Sequence, residues 1–149
     1  MRPRRLAVDV RSTLHLVATL TKYLSLTTLV PAAVALGYGE TPWPFLGAGA
    51  IGGGIGLALE RGTRGRTQLG TREGFLVISL TWLVAAGLGA LPFLLSGDPQ
   101  LDRPLDAYFE SMSGFTTTGA SVLTNVEEIS RSLQIWRQFT QWLGGIGII

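Results

Sequence analysis

The sequence has no cysteine, only one histidine and few charged residues. The lack of cysteine excludes a disulfide framework, a thiolate metal site and a thiol nucleophile. His15 alone cannot form a zinc site, which needs at least three protein ligands. Charged residues make up 15% of the 149 residues and hydrophobic residues 46%, whereas a soluble domain averages about 25% charged residues. The composition therefore indicates a membrane protein.

The charge balance does not indicate a nucleic-acid partner. The formal net charge is only +2, and the basic residues are not interleaved with aromatic residues as they are in single-strand binders. The residues also suggest no catalytic group and no cofactor. We expect neither an enzyme nor a nucleic-acid-binding protein.

Apolar segments at 14–36, 43–59, 74–95 and 133–149 alternate with polar or glycine- and proline-rich stretches. The first and third have about the 20 residues that a spanning helix needs, and the last is too short to cross. These segments predict an all-α membrane protein. We divide it into an N-terminal helix pair in 1–60, a basic cytoplasmic loop in 61–73, and one helix, re-entrant loop and truncated-helix unit in 74–149.

Two features of the N-terminal pair have alternative interpretations. Lys22 interrupts the first apolar segment, so its side chain is expected to reach an interface or to face another helix. The basic start and Ala33-Val34-Ala35 imitate a signal peptide, but the long polar-containing lead-in favours a retained helix. In the second segment, two pairs of glycines are spaced four residues apart, Gly49 with Gly53 and Gly52 with Gly56. This spacing predicts close helix packing.

The arginines predict the orientation in the membrane. Short cytoplasmic loops carry an excess of lysine and arginine. The N-terminal stretch and the loop after the second helix each contain four arginines. They are Arg2, Arg4, Arg5 and Arg11, and Arg61, Arg64, Arg66 and Arg72. We therefore expect a cytoplasmic N-terminus and an external location for the connections around 96–132.

Residues 104–121 combine a short helix with an oxygen-rich turn. The helix at 104–115, which starts with Pro104, is too short to span and has the length of a re-entrant segment. The negative pole of its dipole would favour a cation at the turn. Thr117-Thr118-Gly119 matches the Thr-x-Gly core of potassium filters, in which carbonyls replace the hydration shell of the ion. This pattern is typical of one pore-loop unit of a cation channel.

The turn has two other interpretations. A threonine-rich surface turn would carry the same three residues. A phosphate-binding loop would share the spacing from Gly114 to Gly119, but Ala120 stands where the lysine is needed and an apolar helix precedes the loop instead of a strand. We therefore do not expect nucleotide binding.

Several motifs in residues 71–149 carry a family resemblance. They are Thr71-Arg72-Glu73-Gly74-Phe75-Leu76, Gly89-Ala90-Leu91-Pro92-Phe93, Asp106-Ala107-Tyr108-Phe109-Glu110-Ser111 followed by the stretch from Gly114 to Ser121, Trp136-Arg137, and Gln141-Trp142-Leu143-Gly144-Gly145-Ile146-Gly147. This half of the chain resembles the first pore repeat of the TrkH/KtrB family of bacterial potassium transporters. The two preceding helices are similar to the extra N-terminal pair of the TrkH branch in topology alone.

The resemblance implies roles for individual residues. Members of the family have four linked repeats around one potassium pathway. By motif position, Thr117, Thr118 and Gly119 would form the filter backbone, and Thr116, Ala120 and Ser121 would bound it. Glu110 would be a hydrogen-bonded brace on the pore helix rather than an ion ligand. Arg137 would be an interfacial anchor or the partner of an acidic residue.

The resemblance also implies partners and a location. Potassium would be the transported ion, and the chain would lie among lipid as a multi-pass protein of the bacterial inner membrane. A homodimer and a cytoplasmic nucleotide-binding regulatory subunit are implied as well. Because the sequence contains one repeat, we expect an N-terminal fragment whose remaining pore repeats complete the filter. The alternatives are a ring of four identical chains and a non-transporting scaffold that only packs with partner helices.

Overall fold

The computed structural model describes residues 9–63 and 70–148, which form six α-helices and contain no strand. The helices are α1 (Val10–Leu26), α2 (Leu29–Gly37), α3 (Trp43–Gly62), α4 (Thr71–Ser96), α5 (Pro104–Phe115) and α6 (Arg131–Ile148). The all-α class predicted from the apolar segments is confirmed. Two described helical stretches are long and apolar enough to cross a membrane, Val10–Gly37 with 28 residues and Thr71–Ser96 with 26.

The first apolar segment is divided where one continuous helix was predicted. α1 and α2 are separated by Thr27 and Thr28, whose hydroxyls donate to the backbone oxygens of Leu24 and Ser25 at 2.6 and 2.8 Å. Pro31 follows in α2 and has no amide hydrogen to donate to the preceding turn. The helical hydrogen-bond ladder therefore tightens and breaks at the two threonines.

The predicted basic loop is shorter than residues 61–73. α3 continues to Gly62, and α4 already begins at Thr71. Glu60 remains helical because Lys22 of α1 donates to both of its carboxylate oxygens, at 2.9 and 2.8 Å, and Thr19 donates at 3.0 Å. Lys22 therefore pairs with a neighbouring helix, which is one of the two alternatives left open by the sequence.

The glycines of α3 let two helices approach it closely. A Cβ atom on Gly56 would lie 2.8 Å from the backbone nitrogen of Lys22 and 2.9 Å from the backbone oxygen of Ala18 in α1. Gly53 also faces Ser25 of α1, and Gly49 faces Ser25 and Thr28 at the break after α1. Gly52 faces Leu88 of α4 instead. The glycine spacing thus serves close packing, as predicted.

The hydrophobic core lies at the end of the molecule where α5 begins. It is built from α2, the start of α3, the end of α4, α5 and the start of α6. Its buried residues are Ala32, Ala35, Phe45, Ala90, Phe93, Leu101, Ala107, Ile129, Leu133 and Trp136. This core surrounds α5 and fixes the position of the turn that follows it.

The start of α1, the end of α3 and the start of α4 meet at the opposite end. Arg11 Nη2 donates to the backbone oxygen of Gly62 at 3.5 Å, and the backbone nitrogen of Asp9 donates to Glu73 Oε1 at 3.1 Å. The described arginines of the two stretches, Arg11, Arg61 and Arg72, therefore lie at the same end of the bundle. Arg2, Arg4, Arg5, Arg64 and Arg66 themselves lie outside the described residues.

Candidate functional site

The short helix α5 occupies the 12 residues from Pro104 to Phe115, the range expected for the pore helix. Pro104 stands in its first turn together with Asp106, both of which suit a helix N-terminus. At about 1.5 Å per residue the helix is roughly 18 Å long, too short to cross a bilayer. Its C-terminal end is buried, since Ser113, Gly114 and Phe115 are all buried residues.

Small residues hold the end of α5 between α4 and α6. A Cβ atom on Gly144 of α6 would collide with the backbone of Phe115, and one on Gly114 would collide with the side chain of Thr140. On the other side, a Cβ atom on Gly89 of α4 would collide with Ser111 and Phe115. Backbone-to-backbone contact of this kind needs glycine, as in close-packed membrane helices.

The turn at 116–121 has an alternating backbone conformation. Thr117 has a φ of 56° and Gly119 a φ of 75°, whereas Thr118 between them has a negative φ. A threonine with positive φ is uncommon because its branched side chain crowds the backbone. All six residues of the turn are exposed. The turn is therefore exposed, and its backbone has an alternating conformation that is unusual for threonine.

Hydrogen bonds from α5 fix the turn from behind. The Ser113 hydroxyl donates to the Ala120 backbone oxygen at 2.5 Å, and the Thr118 amide donates to the Ser113 backbone oxygen at 3.0 Å. The Thr116 hydroxyl donates to the Met112 oxygen at 2.8 Å and lies 2.8 Å from the Thr118 hydroxyl. These contacts anchor both arms of the turn to the last two turns of the helix.

An ion pair behind the turn joins α5 to α6. Arg137 Nε donates to Glu110 Oε1 at 2.5 Å, and the side chains of Arg137 and Glu110 are only 16% and 3% exposed. Glu110 Oε2 also accepts the Ser121 hydroxyl at 3.0 Å and the Val122 amide at 3.1 Å. Arg137 Nη2 donates to the Ser121 hydroxyl at 3.3 Å. Of the two roles left open for Arg137, the structure shows pairing with an acidic residue.

The helix that carries Arg137 is fixed at its start by a carboxylate. Glu40, in the connection between α2 and α3, accepts the backbone amides of Arg131 and Ser132, both at 2.9 Å. Burial by itself would raise the pKa of Glu40, but the hydrogen bonds from Ser132 and Arg131 outweigh it and hold the pKa below its ordinary value of 4.5. The carboxylate thus caps the positive end of α6 in its charged form.

A buried tryptophan sets the rotation of the same helix. Trp136 is 1% exposed, and its indole nitrogen donates to the backbone oxygen of Gly89 in α4 at 2.9 Å. Because Arg137 is the next residue, its side chain leaves the helix about 100° further round, toward Glu110. Glu40 and Trp136 together place the guanidinium beside the turn.

The residues predicted for the site are contiguous, and the structure keeps all six of them at the end of α5. Sequence reasoning missed Ser113, which holds the Ala120 carbonyl, and the fit of Gly114 against Thr140. The four-residue spacing of Thr140 and Gly144 signals close helix packing in a membrane protein and could have indicated where α6 meets α5.

The described residues include no group of three or more His, Cys, Asp or Glu that could hold a metal ion.

A cavity of the described residues lies apart from the turn. It has a volume of about 490 Å³ and is lined mainly by apolar residues of α1 and α4, with Phe115 and the end of α6. It contains no carboxylate and no cationic side chain. Its oxygen-bearing side chains are the separate hydroxyls of Thr21, Tyr23, Thr27 and Thr81, not a continuous run as in the turn.

A half-length helix that ends in an oxygen-rich turn, packed between two longer helices, defines the class as a helical membrane protein with a pore-loop unit. The chain belongs to the TrkH family, described as cation transport proteins, whose model matches residues 51–149. The family resemblance found in the sequence is thereby confirmed. The match starts before residue 71, so the sequence similarity reaches further toward the N-terminus than the motifs indicated.

Curated relatives extend the similarity to nearly the whole chain. The Trk system potassium uptake protein TrkH of Vibrio parahaemolyticus is 37% identical over 147 residues, 93% of this chain and 29% of the relative. That of Halomonas elongata is 38% identical over 144 residues, 95% of this chain and 30% of the relative. An uncharacterized cation transporter of Methanocaldococcus jannaschii is 36% identical over 142 residues, 95% of this chain and 29% of the relative.

A solved structure shows the same fold. The crystal structure of the potassium transporter TrkH from Vibrio parahaemolyticus matches with a TM-score of 0.87 and 37% identity, over 95% of this chain and 30% of that one. The chain thus spans about 30% of the length of the relatives that it matches. It corresponds to a segment of such proteins.

Proposed function

We propose that this chain supplies one quarter of the selectivity filter of a channel-like potassium uptake transporter in the bacterial inner membrane. Residues 116–121 would line the ion pathway. The observation that carries the proposal is the backbone of the turn: φ is positive at Thr117, negative at Thr118 and positive at Gly119. Such alternation allows successive carbonyls to face one side, as a ring of carbonyl ligands requires.

The chemistry proposed for the site is replacement of the hydration shell of potassium. Backbone oxygens, with the hydroxyls of the threonines, would coordinate the ion, and the carbonyl end of α5 would favour its positive charge. No bond is made or broken, so no catalytic residue and no cofactor is assigned. The ion would move down its electrochemical gradient.

The partners follow from the same proposal. One turn provides a quarter of a ring, so the remaining pore repeats of the longer protein would provide the rest. A homodimer and a cytoplasmic nucleotide-binding regulatory subunit are proposed on family membership alone. The names of the relatives support potassium as the ion, since several are potassium uptake proteins.

The test is rubidium uptake, with sodium as competitor, into liposomes that hold one of two proteins. The first is this chain by itself. The second is a chimera in which this chain replaces the matching segment of the Vibrio parahaemolyticus relative. We expect selective uptake by the chimera and none by the chain alone.

The second candidate is a membrane scaffold that packs with partner helices without transporting ions. Apolar side chains of α3 that stay exposed in the chain, among them Trp43, Ile51 and Ile55, would allow such packing. A chimera that inserts into the membrane but carries no rubidium would support the scaffold and contradict the filter. Uptake by the chain alone would instead indicate that identical copies assemble a complete ring.

A further inference from the structure

The Glu110 and Arg137 pair touches the turn at only one of its ends. Glu110 accepts the Ser121 hydroxyl and the Val122 amide, and Arg137 donates to the same hydroxyl. Both contacts are with the arm of the turn that leaves toward α6. Neither side chain has a hydrogen bond to Thr117, Thr118 or Gly119. The pair therefore contacts the frame of the proposed filter and not its ion-facing centre.

We propose that Glu110 and Arg137 are positioning residues, which hold the 120–122 arm of the turn at the distance from α5 that potassium selection requires. The inference rests on the proposed function of the turn. Glu110 lies on α5 and Arg137 on α6, so the pair ties the arm to two helices at once. A displacement of either helix would move Ser121 and with it the Ala120 carbonyl.

The charges of the pair also matter to a cation nearby. The guanidinium of Arg137 lies 3.3 Å from the Ser121 hydroxyl. An unpaired positive charge at that place, largely out of water, would repel a potassium ion in the turn. Glu110 compensates this charge, and the pairing together with the hydrogen bonds from Ser121 and Val122 offsets the cost of burying Glu110. The pair thus supports the arm without adding net charge beside the pathway.

The alternative is a pair that stabilises the fold and has no influence on selection. Double neutralisation separates the two roles. The double variant Glu110→Gln, Arg137→Gln leaves no buried charge without a partner, so a purely structural pair should be replaceable in this way. A positioning pair should not, because two neutral amides cannot reproduce the charge-assisted contacts to Ser121.

The experiment uses the chimera with the Vibrio parahaemolyticus relative in liposomes and measures rubidium uptake against sodium. Glu110→Gln and the double variant are each compared with Glu127→Gln. Glu127 provides the matched control because it is an exposed glutamate in the stretch that follows the turn. We expect the preference for rubidium over sodium to fall about tenfold in both pair variants, within the 10–100-fold loss typical when a supporting partner of a ligand is removed. The control should keep its preference.

A second readout does not depend on transport. Hydrogen exchange should become faster in peptides covering 117–123 of both pair variants and stay unchanged in peptides from α3. Unchanged exchange at 117–123, or an undiminished ion preference in the double variant, would overturn the positioning role. If the unsubstituted chimera carries no rubidium while exchange at 117–123 still responds, the proposed transport function fails and the positioning of the arm stands.

Discussion

Gly119 adopts a φ of 75°, a conformation in which a Cβ atom crowds the following carbonyl. A Cβ atom there would otherwise meet only Gln141 Nε2, at an ordinary contact distance of 3.5 Å. Gly119→Ala should therefore strain the backbone by about 1–2 kcal/mol without a collision. We expect the strain to shift the carbonyls of the turn and to lower the preference for potassium over sodium in the chimera.

Gly97 is the matched control for this prediction. It has a φ of 70°, and nothing lies within 4 Å of the position that a Cβ atom would take. Gly97→Ala should cost about the same backbone strain at the end of α4, far along the chain from the turn. Both variants should melt at a lower temperature, but only Gly119→Ala should change rubidium uptake in competition with sodium. Unaltered selectivity in Gly119→Ala would contradict the filter assignment.

Glu40 predicts a pH dependence of stability. Its pKa in the folded chain is lower than the ordinary 4.5, since the hydrogen bonds from Ser132 and Arg131 outweigh its burial. A lowered folded-state pKa means that Glu40 stabilises the fold fully above pH 4.5. This contribution is lost as the pH falls below that value and through the folded-state pKa.

Glu40→Gln should reduce stability near neutral pH by about 1 kcal/mol, the usual value of a helix N-terminal cap. It should also remove the part of the acid destabilisation that Glu40 causes. The measurement is thermal unfolding in detergent at pH 7 and at about pH 4, with the exposed Glu127→Gln as control. An equal loss of stability at both pH values would show that the charge of Glu40 does not contribute.

At the scale of single elements, the close contact between α1 and α3 gives a sharp comparison. A Cβ atom on Gly56 would lie within 3.0 Å of three backbone atoms of α1, whereas a Cβ atom on Gly54 would meet nothing within 4 Å. Gly56→Ala should force the helices apart and destabilise the chain by about 1–3 kcal/mol. Gly54→Ala should be neutral or stabilising by up to about 1 kcal/mol, because alanine favours the helix.

Thermal unfolding in detergent checks this pair of variants. Because Lys22 and Glu60 also bridge α1 and α3, a partial separation of the helices would weaken their ion pair. Equal melting temperatures for the two variants would mean that α1 and α3 do not pack as closely as the structure shows. The glycine spacing would then have no role in this contact.

The elements were predictable where a local pattern fixes them. Proline at the start and small residues at the end predict a helix at 104–115, and α5 occupies those residues. The break at Thr27 and Thr28 was not predicted, because threonines and a proline occur in continuous membrane helices as well. The end of α3 lies two residues beyond the predicted boundary at residue 60, and the pairing of Glu60 with Lys22, 38 residues away, is not visible in a local pattern.

In the candidate site, too, local patterns were predictable from the sequence and contacts between distant residues were not. The oxygen-rich turn is a local pattern that the sequence displays, and the brace role of Glu110 was an expectation from the family resemblance. The partner Arg137 lies 27 residues further along the chain. Its pairing depends on the rotation of α6, which Trp136 and Glu40 set through contacts with α4 and with the connection before α3. No periodicity in the sequence encodes such contacts between distant elements.

For the whole molecule, the remaining question is which end of the bundle faces the cytoplasm. The structure brings Asp9, Gly62 and Glu73 together at one end. It places the 122–130 connection at the other, where Gln100 Oε1 accepts the amides of Thr124 and Asn125 at 3.1 Å. The described arginines of both stretches lie at the first end, and an excess of arginine marks the cytoplasmic side.

Because the chain has no cysteine, a single introduced cysteine is a unique label once any cysteine in the rest of the chimera has been replaced. Arg61→Cys and Asn125→Cys place it at the two ends of the bundle, at exposed positions. In intact bacterial cells that express the chimera, a membrane-impermeant maleimide should label Asn125→Cys and should reach Arg61→Cys only after permeabilisation. The reverse result would place the arginines outside, against the charge rule, and would turn the mouth of the proposed filter toward the cytoplasm.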